Sequence, residues 1–418
     1  MAIRPLAGSL RMLIDLLNDA HIEADTCASL LGISSRLFKT WVDGKRDLPG
    51  YIIPELASVL GVSQDALASG SVREAPAIWF KFRESGNLSD VDRELVVLIR
   101  RLGFFQHQLD LATSAPNNKW QLLFKFIDEQ LTPNRQASPS IQGREAAKVI
   151  RDQLNFGFPR KSAGVKGNGD LIRPILRKFG VLTIEAPVPE SKIEGCSFYV
   201  GGPGEQRPCL FVNTYKQDWF RRNHVFMHEL AHAIFDIDRE AASIDFREGT
   251  EDGDVKELRA EAFAGESLVP KEMLRHLQSM LGLHWDSLSD SDLAGLVAYS
   301  QVEPKFVLRS ALDHGFIDAE AMLRYQDRSI SNELKQLTER ALDTAEFERI
   351  TGTSMMPIAL RTTTIPSRSL RLPVSYVARV LSAVRDAIIS ESKAAELLMI
   401  DEITFAERFG KVLEEVAA

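Results

Sequence analysis

The sequence predicts a mainly α protein with a small antiparallel β-sheet (α+β). Apolar residues recur at helical spacing over most of the chain. Only three short segments, between residues 181 and 214, are rich in β-branched or aromatic residues and bounded by Gly, Pro or Asn. Residues 228–232 read His-Glu-x-x-His, a pattern that needs a helix to bring its histidines to one side.

The chain has 418 residues, 44% hydrophobic and 26% charged. At roughly 150 residues per domain that allows two to four domains. Such a length buries ordinary cores without staples. The composition excludes a disordered, collagen-like or disulfide-scaffold protein. Lys+Arg is 50 against Asp+Glu 58, a net charge of -8. This excludes a uniformly basic nucleic-acid coat and leaves room for a local DNA-binding module. Cys27, Cys196 and Cys209 are far apart, odd in number and in no CxxC pair. They read as the reduced, buried thiols of a cytoplasmic protein. No apolar run approaches about 18 residues, so no membrane span is expected. Arg11 and Asp15 interrupt the first apolar stretch, which does not read as a signal peptide.

Four segments follow. Residues 1–70 are short helices. Leu10, Leu13, Ile14 and Leu17 form one helical stripe, and Cys27, Leu30 and Leu31 a second. Gly32 breaks that helix and Ser34 caps the next, SSRLFKTWVDG, which ends at Gly44. PELASVLG is a further helix. Residues 71–140 are a helical connector broken at APNN and TPNRQASPS. Residues 141–283 hold the helix REAAKVIRDQLNF and then the basic loop PRKSAGVKGNG. That loop lacks the GxxxxGK[ST] order of a phosphate loop and reads as surface. The three strands VLTIEAP, GCSFYV and CLFVNT come next. Residues 284–418 are helical, punctuated by DSLSDSD and TTTIPSRS. No repeat of fixed period is present.

The chemistry lies in HVFMHELAHAIFD, residues 224–236. On a helix His228 and His232 are one turn apart, so both imidazoles reach one metal ion. Glu229 stands beside them, placed to take a proton from a metal-activated water. Met227, Leu230, Ala231 and Ile234 form the core-facing stripe. A zinc peptidase needs a third protein ligand and an open position for water. The segment VKELRAEAFAGESLVP offers Glu257 and Glu261, one turn apart, with Glu266 nearer the helix end. His224 continues the histidine row. It lies about 12 Å from His232 along the axis and does not share that ion; it reads as a packed histidine, or as one that supports the metal ligands or touches substrate. The acidic segment Asp238–Asp254 reads as a solvated loop.

Residues 141–272 resemble the ImmA/IrrE family of zinc metallopeptidases. The likeness rests on REAAKVIRDQL, LIRPILRKFGVLTIE, CLFVNT, RRNHVFMHELAHAIFD and ELRAEAFAGESLVP. The second motif of that family, Glu-x-x-Ala-x-x-Phe-Ala and then Pro, falls on Glu257, Ala260, Phe263, Ala264 and Pro270. The resemblance implies Glu257 as third ligand to Zn2+ beside His228 and His232, with Glu229 as catalytic base. Asn223 and His224 stand where the family usually has Arg-Phe, and Ala231 where Gly is commonest. Residues 284–317 resemble the family's downstream helices.

Residues 9–69 resemble the phage-repressor (XRE-like) type of helix-turn-helix domain, through ASLLGISSRLFKTWVDGKRDLP. The resemblance implies a recognition helix from Ser34 to Asp43. Ser34, Ser35, Arg36, Lys39, Thr40, Lys45 and Arg46 are then the candidate DNA contacts. It also implies operator DNA as a partner and, by analogy, a homodimer. Residues 1–70 carry 6 Lys+Arg against 8 Asp+Glu, so any DNA contact must be local. The stretch ISESKAAELLMIDEITF has a weaker helix-turn-helix pattern and reads as a packing region.

The expected function is a zinc metalloendopeptidase in a transcriptional or stress switch, cleaving a repressor or a neighbour-encoded regulator or toxin. A peptide would add as a strand along Phe211–Thr214. Tyr199, Tyr215 and His224 are the candidates for stabilising the oxyanion. The competing expectation is a DNA-binding regulator or antitoxin-like autorepressor whose zinc site is structural or sensory.

Overall fold

A computed structural model describes residues 24–60, 119–131, 137–154, 172–186, 191–200, 207–215, 219–236, 243–246, 255–326, 355–358 and 370–417. It adds a few single positions between 13 and 113. The basic loop 159–169, most of the connector 71–140 and the TTTIPSRS break lie outside the described residues.

Three helices open the described chain: α1 (Ala24–Leu30), α2 (Ser35–Val42) and α3 (Ile53–Leu60). The Ser34 hydroxyl accepts the Leu37 N–H at 3.3 Å and caps α2. Gly32 turns the chain between α1 and α2 at φ +65°, where a side chain would be strained. Phe38 and Trp41, three apart on α2, enter one core with Cys27, Ile52, Leu56 and Leu60. Leu13 and Leu17 of the first expected stripe join it; Leu10 and Ile14 lie outside the described residues.

Among the described residues the central sheet has four strands: β1 (Leu182–Ala186), β2 (Ile193–Val200), β3 (Arg207–Asn213) and β4 (Ser243–Phe246), in the order β1-β3-β2-β4. It is mixed where the sequence suggests antiparallel pairing throughout, because β1 runs parallel to β3. The order explains this. β1 and β2 run in opposite directions, and β3 returns between them, antiparallel to β2 and hence parallel to β1.

Two expectations are corrected here. Phe211–Thr214 is no edge: Phe211 pairs with Ile184 on one side and Cys196 on the other. Cys209, Leu210, Phe211 and Val212 are all buried, the pattern of a strand covered on both faces. The acidic segment is not wholly a loop either. Its residues Ser243–Phe246 form the outer strand, antiparallel to β2. The rest of that segment is outside the described residues.

Both faces of the sheet are covered, and alternation along each strand divides the side chains between two cores. Leu210, Val212 and Tyr199 face a helical layer. This layer comprises α4 (Lys119–Leu131), α5 (Pro139–Leu154), α6 (Ile172–Lys178), α7 (Trp219–Phe235), α8 (Val255–Leu268) and α9 (Lys271–Leu281). It continues through α10 (Asp290–Ser300), α11 (Pro304–Asp313) and α12 (Ala319–Gln326).

Cys196, Phe198, Cys209 and Phe211 face the other way. There they meet Leu95, Ile99 and Phe105 from the connector and the C-terminal helices α13 (Val374–Arg385), α14 (Glu391–Leu397) and α15 (Glu402–Ala417). Ala394, Leu397, Leu398 and Phe405 of the second helix-turn-helix-like stretch are buried in this core. Between α12 and α13 a separate ribbon pairs β5 (Met355–Ile358) with β6 (Leu370–Pro373), in a region expected to be helical. Among the described residues no helix is long and apolar enough to cross a membrane.

Candidate metal centre

The site is built on α7, seated on one face of the sheet, and on α8, packed between α7 and α5. α7 is anchored at its start by a buried polar network. Arg173 of α6 donates to both carboxylate oxygens of Glu185 on β1, at 2.6 and 3.0 Å. It also donates to Asn223 Oδ1 at 2.8 Å. Asn223 in turn donates to the Gln301 carbonyl at 2.8 Å. Asn223, one of the departures from the family pattern, thus ties α7 to β1, α6 and the end of α10. Val225, Phe226, Met227, Leu230, Ala231 and Ala233 fill the core on the helix's other sides.

With the core stripe fixed, His224, His228 and His232 form a row at four-residue spacing. α8 lies across this row in antiparallel register and presents Glu261 and Glu257. His228 Nε2 and His232 Nε2 are 3.0 Å apart. The Glu257 carboxylate is 3.1 Å from the first and 3.3 Å from the second. Tetrahedral zinc, with bonds of roughly 2.0–2.1 Å, holds its donors roughly 3.3 Å apart. Two imidazole nitrogens and one carboxylate therefore stand at the separations such an ion requires, and the donor set fits it. Glu261 does not reach His232. It lies 3.2 Å from His224 Nε2 and 3.4 Å from His228 Nδ1. Each of the sets His228–His232–Glu257 and His224–His228–Glu261 offers donor atoms within 4.8 Å of one another. Glu266 is elsewhere: buried, it pairs with Arg151 at 3.0 Å and His314 at 3.1 Å.

The electrostatics point the same way. Burial works against a charged His232, but Asp236 and Glu257 outweigh it and raise its pKa to about 9. Burial likewise opposes ionisation of Glu257, yet His228 and His232 hold its carboxyl far below the ordinary range. The pocket favours positive charge where the three donors converge. His232 Nδ1 lies 2.8 Å from Asp236 Oδ2. Asp236 is itself held by Arg259, whose guanidinium also lies 4.8 Å from the Phe235 ring centre. Such a carboxylate fixes both the tautomer and the direction of an imidazole ligand. Sequence reasoning passed over Asp236, although it stands four residues after His232 on the same face.

Glu229 is fully buried on the sheet side of α7. A Cβ added to Gly195 of β2 would stand 2.7 Å from Glu229 Oε1 and 2.7 Å from Val225 Cγ1. Gly195 thus lets β2 run against the Glu229 carboxylate. Asp245 of β4 pairs opposite Gly195, so the outer strand passes beside this point. The oxyanion candidates separate. The Tyr199 hydroxyl donates to the Ala233 carbonyl at 3.0 Å and braces α7. His224 stacks on Phe306, ring centres 3.4 Å apart. Tyr215 is half-buried and gives its backbone N–H to Asn213 Oδ1. All three cysteines are free and buried. Burial raises the Cys27 thiol to about 12; burial and then the Glu229 charge push Cys196 up as well.

The N-terminal residues present a different surface. Arg36, Lys39, Lys45 and Arg46 are exposed. Lys39 pairs with Asp25 at 2.8 Å and Lys45 with Asp43 at 2.8 Å. Ser34 is committed to capping, Thr40 donates to the Leu37 carbonyl at 2.7 Å, and Ser35 is half-buried.

Residues 176–290 match the model of the IrrE N-terminal-like domain, peptidase family M78. The match spans about a quarter of the chain. It runs from α6 to the start of α10 and takes in all four strands of the central sheet and both helices of the candidate centre. This region is therefore similar to a metallopeptidase domain of the IrrE kind. No curated protein and no solved structure matches the chain.

Proposed function

We propose that the chain is a zinc-dependent endopeptidase that cleaves a specific regulator protein inside a transcriptional or stress switch. One observation carries the reading. His228 Nε2, His232 Nε2 and the Glu257 carboxylate converge within 3.0–3.3 Å of one another, with Glu229 buried on the same helix. These three residues would hold Zn2+. Zinc, when bound, supplies Lewis acidity that polarises a peptide carbonyl and acidifies water.

The remaining work belongs to the protein. Glu229 takes the proton from the attacking water, holds it, and hands it to the departing amine. Burial beside the Gly195 backbone keeps its carboxylate in one place. Asp236 and Arg259 keep His232 aimed. β4 is the outer strand beside Gly195, and an extended substrate adds there by main-chain pairing. This replaces the β3 segment as the docking strand.

The test is coexpression with each protein encoded beside its own gene, with cleavage fragments identified by mass spectrometry. Glu229→Gln should retain one zinc per chain and release no fragments. A Glu229→Gln protein that still cuts the partner would sink the mechanism.

The α2 surface favours a second component, local binding of operator DNA, since Arg36 in the first turn of the capped helix and Arg46 just beyond its end are exposed. If zinc removal leaves DNA binding intact and no neighbour-encoded protein is cleaved, the chain is a regulator or autorepressor with a structural or sensory metal.

A further inference from the structure

We infer that Glu261 is the positioning carboxylate of His228, itself held in place by His224. The inference rests on the proposed zinc site and goes beyond its ligands.

The two imidazoles of that site are supported in parallel ways. His232 points Nε2 at the other donors and Nδ1 at Asp236, 2.8 Å away. His228 points Nε2 at the same place, and its Nδ1 lies 3.4 Å from Glu261 Oε1. Each carboxylate is held from behind: Asp236 by Arg259, and Glu261 Oε2 by His224 Nε2 at 3.2 Å. His224 is a firm anchor. It is buried, stacks on Phe306, and sits one turn before His228 on the same helix. The Glu261 side chain is half exposed, so a swing of a few tenths of an ångström about the His224 contact brings 3.4 Å to hydrogen-bond length.

The same three residues stand close enough together to suggest a second cation. The chemistry of imidazole argues against it. A neutral ring has one lone pair for a metal; once Nε2 of His228 is spent on zinc, Nδ1 carries the proton. Nδ1 is then a donor facing a carboxylate, not a ligand. The row His224–Glu261–His228 is a hydrogen-bond relay that fixes the tautomer and direction of the first metal ligand.

The experiment measures zinc affinity of the full chain by chelator competition, zinc stoichiometry, and the ring-nitrogen shifts of 15N-labelled His228. Glu261→Leu should weaken zinc binding about 10–100-fold with stoichiometry unchanged. Glu261→Gln keeps an acceptor oxygen and should recover most of that loss. The Nδ1–H signal of His228 should shift in both. His224→Gln, which retains a donor, should outperform His224→Ala. Unfolding of the metal-free protein should stay the same in the Glu261 variants, which separates positioning from folding. Unaltered zinc affinity in Glu261→Leu overturns the inference and leaves the zinc site standing. Loss of a second zinc equivalent, with the first unweakened, overturns it in favour of a second cation site. If the wild-type chain takes up no zinc, the proposed function falls together with the inference.

Discussion

Gly195 lies directly against Glu229: a methyl on that glycine would stand 2.7 Å from Glu229 Oε1 and 2.7 Å from Val225 Cγ1. No real Cβ tolerates such contacts. The Glu229 carboxylate can swing aside, whereas Val225 is β-branched and buried and yields only if β2 draws back from α7. Gly195→Ala should therefore displace the candidate base more than the metal ligands. We expect zinc content to match wild type and kcat to fall about 10²-fold or more, the usual scale of a lost general base. Wild-type kcat in this variant would remove Glu229 from the chemistry or Gly195 from its support.

Asp236 aims His232, and its other oxygen is bound by Arg259. Asp236→Asn keeps an acceptor but loses the charge that both partners use. Zinc affinity should drop about 10–100-fold, read by chelator competition. Arg259→Ala should move affinity in the same direction by less, because Asp236 survives but is no longer held. Equal affinity in all three proteins would show that His232 is aimed by the helix alone.

Much of this site was legible because its order is local. The spacing of His228 and His232 is a property of one helix, and so is the burial of Met227, Leu230 and Ala231 behind them. The three strands of residues 182–213 were legible from β-branched and apolar runs. What the chain does not write locally is which elements meet. Glu257 and Glu261 share a face of α8, and only the register against α7 decides that Glu257 reaches both His228 and His232. Without the family resemblance, nothing in the spacing favours one.

The docking strand shows the same limit. Nothing in CLFVNT marks it as central or edge: its two neighbours come from segments before it in the chain, and pairing order is not a local property. β4 reads Ser-Ile-Asp-Phe, a period-2 alternation only four residues long. The acidic residues around it obscure that signal. Asp236 was missed for a different reason. It follows the HExxH pattern rather than belonging to it.

The packing of α5 on α8 offers a prediction about folding. A Cβ on Gly143 would lie 2.3 Å from the Arg259 carbonyl oxygen and 3.0 Å from the Phe263 nitrogen. Both are backbone atoms, so no rotamer relieves the clash and the helices must part. Gly143→Ala should cost about 1–3 kcal/mol in denaturant unfolding, the scale of overpacking. Because Glu257 and Arg259 lie on the displaced turn, zinc affinity should fall as well. Gly265 is the control, on the same α8 helix with nothing within 4 Å of its added Cβ. There Gly265→Ala should be neutral or stabilising by about 0.5–1 kcal/mol, from reduced backbone entropy. Destabilisation by both alanines alike would refute the close-approach argument.

Asp25 and Lys39 join α1 to α2 at 2.8 Å, on the surface proposed to face DNA. Lys39, then Ser35, hold the Asp25 carboxyl below its ordinary range, so Asp25 is charged wherever DNA binding is measured. The pair cancels one of the few positive charges on that helix. Asp25→Asn removes the cancelling charge and frees Lys39 for a phosphate. Affinity for a duplex from upstream of the chain's own gene should rise, and the slope of log K against log salt should steepen by about 0.9, one more counterion released. Arg36→Ala with Arg46→Ala should flatten the slope and weaken binding across sequences alike. Fluorescence anisotropy at several salt concentrations reads both. An Asp25→Asn protein whose affinity and salt slope match wild type would exclude Lys39 from the DNA contact.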